Sequence, residues 1–334
     1  MLSGEGTNLG IIDSFSAGYW LLVHRLELLL LPLLLDAFLW SAPRLSIEPI
    51  LNKFAVYYND IFAQFNGATD AAVPGLADLP AQVTTALNAA GQSLNLFDLL
   101  VSSSLYHVPS LFVALPGLKT EQTTWKMASI LNAGGSTLLL GLVGLLIGVV
   151  YMNLLASAVP LGEGKKNTVP SRFVSTLLRH WLRSIGFVVA MMVLLLMIYI
   201  PKAVGVTVLM LISPALGAGA MMLVGGLVMV IFFYLYFVTV GLVLDDLPLR
   251  AAVMRSVVLV RHNFWTTLGF FLLTNLISIG ITLLLRGIVA SGLAGLLVGA
   301  LANAFIGTGL ALALLVFYRT RLIVTTDKMQ IQQA

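Results

Sequence analysis

The chain has 334 residues, and only 10% of them are charged while 59% are hydrophobic. An ordinary soluble domain carries about 25% charged residues, so with a mean hydropathy of +1.00 much of this chain must be solvated by lipid. That excludes a secreted enzyme, a nucleic-acid-binding domain and a disordered chain; the absence of cysteine removes disulfides, thiolate nucleophiles and Cys-ligated metal centres, and the net charge of +4 sits in short segments between apolar runs, where it sets membrane orientation.

Residues 1–18 are polar and weakly acidic, without the basic region and cleavage site of a signal peptide, so the N-terminus is expected to be retained. The first apolar run, Leu21 to Trp40, is long enough to cross the hydrocarbon core, with a kink expected at Pro32. Two carboxylates lie within it. Glu27 adjoins His24 and Arg25, and Asp36 lies one turn inside Trp40. Because a charge at the bilayer centre costs at least ~2.5 kcal/mol, they are the possible intramembrane polar site, as a proton or cation relay or as anchors paired locally near the helix ends.

Residues 43–125 are too long for a structureless loop and predict a helical insertion on the outer face. Ile47, Leu51, Phe54, Tyr58, Ile61 and Phe65 recur at spacings of three and four, which marks one amphipathic helix. A break is expected between Gly67 and Pro80, with further helices near 81–90 and 94–105. His107 reads as a local hydrogen-bonding residue.

Five more spans follow, at about 127–158, 185–212, 216–244, 264–285 and 288–317. The third contains Pro201-Lys202 and is either one long kinked helix or a shorter span with an interfacial segment. The fold class is therefore an all-α polytopic membrane protein with about six transmembrane helices, cytoplasmic interfacial amphipathic helices and a helical extracytoplasmic insertion. Its parts are an N-terminal segment and first span (1–42), the insertion (43–125), the remaining five-helix bundle (126–318) and a tail (319–334). Twelve of the 18 Lys and Arg fall inside if both termini are cytoplasmic, which predicts an inner-membrane protein, N-in and C-in.

Segments 168–184 and 246–263 each begin near a proline, alternate basic and apolar faces, and run into a span. They carry the interfacial basic pairs Arg179-His180 and Arg261-His262. With His24-Arg25 these pairs fit three repeated helical hairpins, or simply the gathering of Arg and His at membrane edges. Asp245-Asp246 closes the fourth span and is expected to pair with Arg250 or Arg255.

In the last span Ser291, Gly295, Gly299, Asn303 and Gly307 recur every fourth residue, a face along which another helix can approach closely. The preceding span places Thr274, Ser278 and Thr282 at the same step, so their hydroxyls are expected to meet Asn303, in a packing seam or along a solute path. No metal-binding, nucleotide-binding or nucleophile motif occurs, so no cofactor, metal or catalytic residue is expected.

Residues 233–273 carry Asp245-Asp246 after a span, a helix with Ala251-Ala252 and Arg255-Ser256, and an aromatic turn from Arg261 to Trp265. This stretch resembles the membrane domain of glycerophosphoryl diester phosphodiesterase membrane proteins and related multi-pass bacterial families. The resemblance implies a six-span helical fold with interfacial helices. In that family the phosphodiester chemistry belongs to a separate soluble domain with acidic and His metal ligands, so no catalytic residue is implied here. The sequence thus points to a non-enzymatic integral membrane protein, a structural or accessory subunit of a membrane assembly, with lipids and a protein partner or a second copy as its partners and no nucleic acid. The alternative is a transporter or channel for a lipid-like or other apolar solute.

Overall fold

The computed structural model describes residues 10–68, 79–106, 108–118, 123–159 and 173–333. His107 and most of the expected break between Gly67 and Pro80 lie outside these residues. In chain order the helices are α1 (Ile11–Val23), a 3-10 turn (Leu26–Leu29) and α2 (Leu30–Ser41), followed by strand β1 (Arg44–Ser46). Then come α3 (Glu48–Ala68), α4 (Leu79–Ser93), the single turns α5 (Leu99–Ser102) and α6 (Leu111–Ala114), and strand β2 (Thr124–Lys126). The remainder is α7 (Ile130–Ala158), α8 (Phe173–Ile212), α9 (Pro214–Tyr234), α10 (Val238–Leu244), α11 (Leu249–His262), α12 (Phe264–Val289) and α13 (Leu293–Gln333).

Among the described residues five helical stretches are long and apolar enough to cross a membrane, from Ile130, Phe173, Pro214, Phe264 and Leu293 onward. The chain is an all-α polytopic membrane protein. The expected first span is not one helix: α1 ends at Val23, and His24, Arg25 and Glu27 lie exposed around the 3-10 turn. Three ionisable side chains within four residues open the helix there, where each can remain solvated. Pro32 falls in the first turn of α2, where a missing N–H is tolerated.

The third span is one continuous helix. Segment 168–184 does not form a separate interfacial helix over its described part: from Phe173 it is the start of α8, which runs through Pro201 to Ile212. The fourth span is interrupted at residues 235–237. Ser256 bridges the gap, its hydroxyl donating to Tyr234 O (2.7 Å) and accepting from Phe237 N (3.1 Å).

The chain divides into two compact units. The first comprises Met1–Leu28, Gly148–Ile281 and Phe305–Ala334. In it α1 lies against α13 at contact distance. A Cβ on Gly18 would stand 2.5 Å from the Ala313 backbone nitrogen, and one on Gly309 would stand 2.1 Å from the Tyr19 ring. Only glycine permits approach this close, the main packing device available in lipid. The Tyr19 hydroxyl donates to Ile306 O (3.2 Å), and Tyr151 donates to Thr308 Oγ1 (3.1 Å). Phe15, Phe270 and Phe317 stack in series, with centroids 4.9 and 4.3 Å apart.

The second unit comprises Leu29–Ile147 and Thr282–Ala304. The ends of the insertion are tied by the parallel pair of β1 and β2, with Leu45 opposite Trp125. Arg44 donates to Gly91 O (2.7 Å) and Leu94 O (3.3 Å), fastening β1 to the end of α4. Ser46 Oγ accepts from Glu48 N (3.1 Å), and Pro49 follows in the first turn, so α3 starts with its early N–H groups accounted for. The expected amphipathic face of α3 is only partly used. Asn59 donates to Thr84 (3.1 Å) and Ala55 is buried, while Leu51, Tyr58 and Ile61 are half-buried and Phe54 is exposed.

Candidate functional site

In the first unit the Asp245-Asp246 pair gathers charged side chains from three helices. Asp246 ends α10 with φ +52°, a left-handed conformation that Asp tolerates better than most residues. That turn aims the two carboxylates at different partners. Asp246 accepts from Arg179 (2.6 Å), Arg183 (2.6 Å) and His180 Nε2 (3.2 Å), all on the first turns of α8. His180 Nδ1 lies 3.1 Å from Asn153 Oδ1 on α7, which places the buried imidazole between two helices. Asp245 accepts from Arg255 (2.8 Å) on α11 and from the Tyr318 hydroxyl (2.6 Å) on α13, with Arg319 at 3.8 Å. Burial works against the Arg255 charge, but Tyr318 and Asp245 outweigh it and hold the guanidinium above its ordinary range.

The expected pairing with Arg255 is present, whereas Arg250 is exposed and forms no ion pair among the described residues. Arg179-His180 joins this network. Among the described residues Arg261-His262 does not: both are exposed at the end of α11, and the His262 ring bonds Val258 O of its own helix (2.9 Å). The two basic pairs therefore play different parts, and the three-hairpin repeat gains no support from them. Asn153 and Tyr318 lie outside the motifs read from sequence, and Ser256, named there beside Arg255, had no contact read for it. A polar residue inside an apolar run is the signal Asn153 carries.

Beside this network a cleft of about 440 Å³ opens between α8, α9 and α11. Its wall is apolar almost throughout, formed by Ala190 and Leu194 of α8, Val230 and Ile231 of α9, and Val253 and Val257 of α11 among others.

In the second unit Asp36 is 2% exposed. It accepts from the Ser110 hydroxyl (2.5 Å) and from Leu111 N (3.1 Å), so it caps the first turn of α6. Glu27, of the first unit, is exposed and makes no hydrogen bond or ion pair among the described residues.

Of the small-residue face on α13, Gly295 and Gly299 are buried and Ser291 is exposed. A Cβ on Gly295 would meet Ile288 O at 2.0 Å, and one on Gly299 would meet Val289 Cγ2 at 2.8 Å, so this end of α13 folds back on the last turn of α12. Asn303 is buried, and its Nδ2 has no hydrogen-bond partner among the described residues. Ser291 donates to Ile288 O (2.7 Å). In the first unit Gly307 is half-buried, Ser278 is exposed, and the Thr274 hydroxyl is buried without a hydrogen-bond partner among the described residues; Thr282, in the second, is half-buried. Among the described residues no three His, Asp or Glu side chains group as metal ligands.

Compared with protein families, curated proteins and solved structures, the chain finds no match.

Proposed function

We propose that this integral membrane protein is a non-enzymatic accessory or structural subunit of an inner-membrane assembly, with both termini cytoplasmic, and that its insertion engages a protein partner. The observation that carries the reading is the α3–α4 hairpin. It is held at its base by β1–β2, the Arg44 bonds and the Lys126–Glu48 ion pair (2.9 Å), yet it leaves Phe54 53% and Tyr57 62% exposed on α3. Rigid aromatic side chains on a braced helix are what a partner surface requires, since little ordering entropy remains to be lost on binding. The use of Asp36, Asp245 and Asp246 in structural bonds supports the same reading. Residues 233–273, which resemble phosphodiesterase membrane domains, contribute ion-paired carboxylates to it.

The chain has no native cysteine, so Tyr57→Cys carrying a photoactivatable cross-linker tests the proposal in native membranes. A discrete protein adduct, at the mass of a second copy or of another subunit, is the expected result. Adducts with lipid alone would overturn it. The apolar cleft favours a second reading, movement of a lipid-like solute, which protein-dependent flux of a labelled lipid in reconstituted vesicles would establish.

A further inference from the structure

The cleft between α8, α9 and α11 has features that an uncovered apolar surface alone would lack. It is a half-open recess, and its volume lies within the ordinary range of small-molecule sites. Phe187 to Leu194 of its α8 wall spans seven residues, about 10.5 Å of helix. One leaflet of a bilayer is about 15 Å deep, so the recess has the length of most of one acyl chain, and α8 crosses the membrane in the direction in which lipid chains lie. With almost no polar atom facing it, a water-filled state leaves that wall solvated at a cost, whereas a hydrocarbon chain satisfies it.

The charge around the recess is asymmetric. On α11, Leu249, Val253 and Val257 line it and cover about 80° of the helix surface at 100° per residue. Arg250 and Arg261 fall about 20° and 40° beyond the edge of that arc, on the same side. The α8 wall begins one turn past Arg183. Among the described residues Asp246 pairs with Arg179 and Arg183 and Asp245 with Arg255 and Arg319, so four arginines share two carboxylates, and Arg250 adds a further cation on α11. Arg250 is the exposed member without an ion pair among the described residues, and it neighbours two lining residues, Leu249 and Val253. A guanidinium matches the oxygens of a phosphate with two parallel bonds, and a cation at a membrane surface favours an anionic lipid.

We propose that this cleft is a binding site for one anionic glycerophospholipid of the bilayer, with an acyl chain between α8, α9 and α11 and the phosphate at Arg250. The proposal does not depend on the insertion having a protein partner. A bound chain would fill the recess between the α8–α9 hairpin and the amphipathic helix α11, and so hold α11 against the spans.

The full-length protein in mild detergent is loaded with phosphatidylglycerol or phosphatidylcholine of identical chains, and the retained lipid is counted by native mass spectrometry. The expected result is one retained phosphatidylglycerol, bound more tightly than phosphatidylcholine. Arg250→Gln should weaken phosphatidylglycerol about five-fold and leave phosphatidylcholine unchanged, because it removes one cation near the surface and nothing from the chain site. Val253→Trp fills the recess and should abolish retention of both. Should Val253→Trp fail to fold, Ala190→Trp fills the recess from the opposite wall and carries the same expectation. Retention unaffected by a folded Trp variant, or no preference for the anionic lipid in the wild type, would overturn the site. A co-purifying protein that blocks lipid retention would also overturn it, by showing a different occupant.

Discussion

Asp36 and Glu27 show how differently two carboxylates of one apolar run can be used. A buried carboxylate is costly unless it is hydrogen-bonded, and Asp36 receives the Ser110 hydroxyl and the Leu111 N–H at the start of α6. Its chemistry is that of a cap, supplied by a residue about 75 positions away in the chain. Glu27 lies at the opened turn and is exposed. Asp36→Asn should therefore lower stability by about 1–3 kcal/mol, since a charged acceptor is lost from a buried pair of bonds, and Ser110→Ala should lower it less. Glu27→Gln should change it by no more than about 0.5 kcal/mol. Thermal unfolding in detergent checks the order. A Glu27 variant as destabilised as the Asp36 variant would contradict the assignment of the cap.

At the scale of elements, close helix contacts sort by what stands opposite each glycine. Gly18 faces the backbone of Ala313, whereas Gly299 faces a Val289 methyl group. Backbone cannot move without displacing a whole helix, while a side chain can change rotamer. Gly18→Ala should cost about 1–3 kcal/mol and Gly299→Ala distinctly less, measured as the shift of the unfolding midpoint; the reverse order would show that α1 adjusts more readily than the turn after α12. The second contact involves a glycine the sequence reading singled out, and the first does not. Gly295 and Gly299 stand out through their four-residue period, but Gly18 is a lone glycine in a short helix, and its partner lies 295 residues away. The same distinction runs through the fold. The five later spans and the amphipathic α11 are legible because length and period are local, whereas the run Leu21–Trp40 is broken around its ionisable residues His24, Arg25 and Glu27. The break at 235–237 depends on the Ser256 hydroxyl, and the β1–β2 pair joins two three-residue strands 80 residues apart, so neither leaves a local signature. The Asp245–Arg255 pair was legible across ten residues, whereas the Arg179 and Arg183 partners of Asp246 come from more than 60 residues away.

At the scale of the whole molecule, length and charge act together on orientation. Helices α8 and α13 have 40 and 41 residues, roughly 60 Å each, about twice the hydrocarbon thickness. Each must continue beyond the bilayer, and the polar stretches at Arg179–Arg183 and Arg319–Arg321 are the parts suited to water. Basic residues in short segments next to spans are retained on the cytoplasmic side, whereas charges in a long insertion orient a protein only weakly. Arg44, Lys53 and Lys119 of the insertion, with Lys126 beside it, therefore do not offset the arginines around α8, α11 and α13. A single cysteine at Ala86, exposed on α4, should react with a membrane-impermeant maleimide in cells whose inner membrane is intact, and one at Thr326, exposed on α13, only after that membrane is permeabilised. Because the wild type has no cysteine, each signal belongs to its own position. Labelling of Thr326→Cys in intact cells with protection of Ala86→Cys would invert the orientation. Labelling of both from one side would place the insertion and the tail together, and the charge argument would then have failed for this chain.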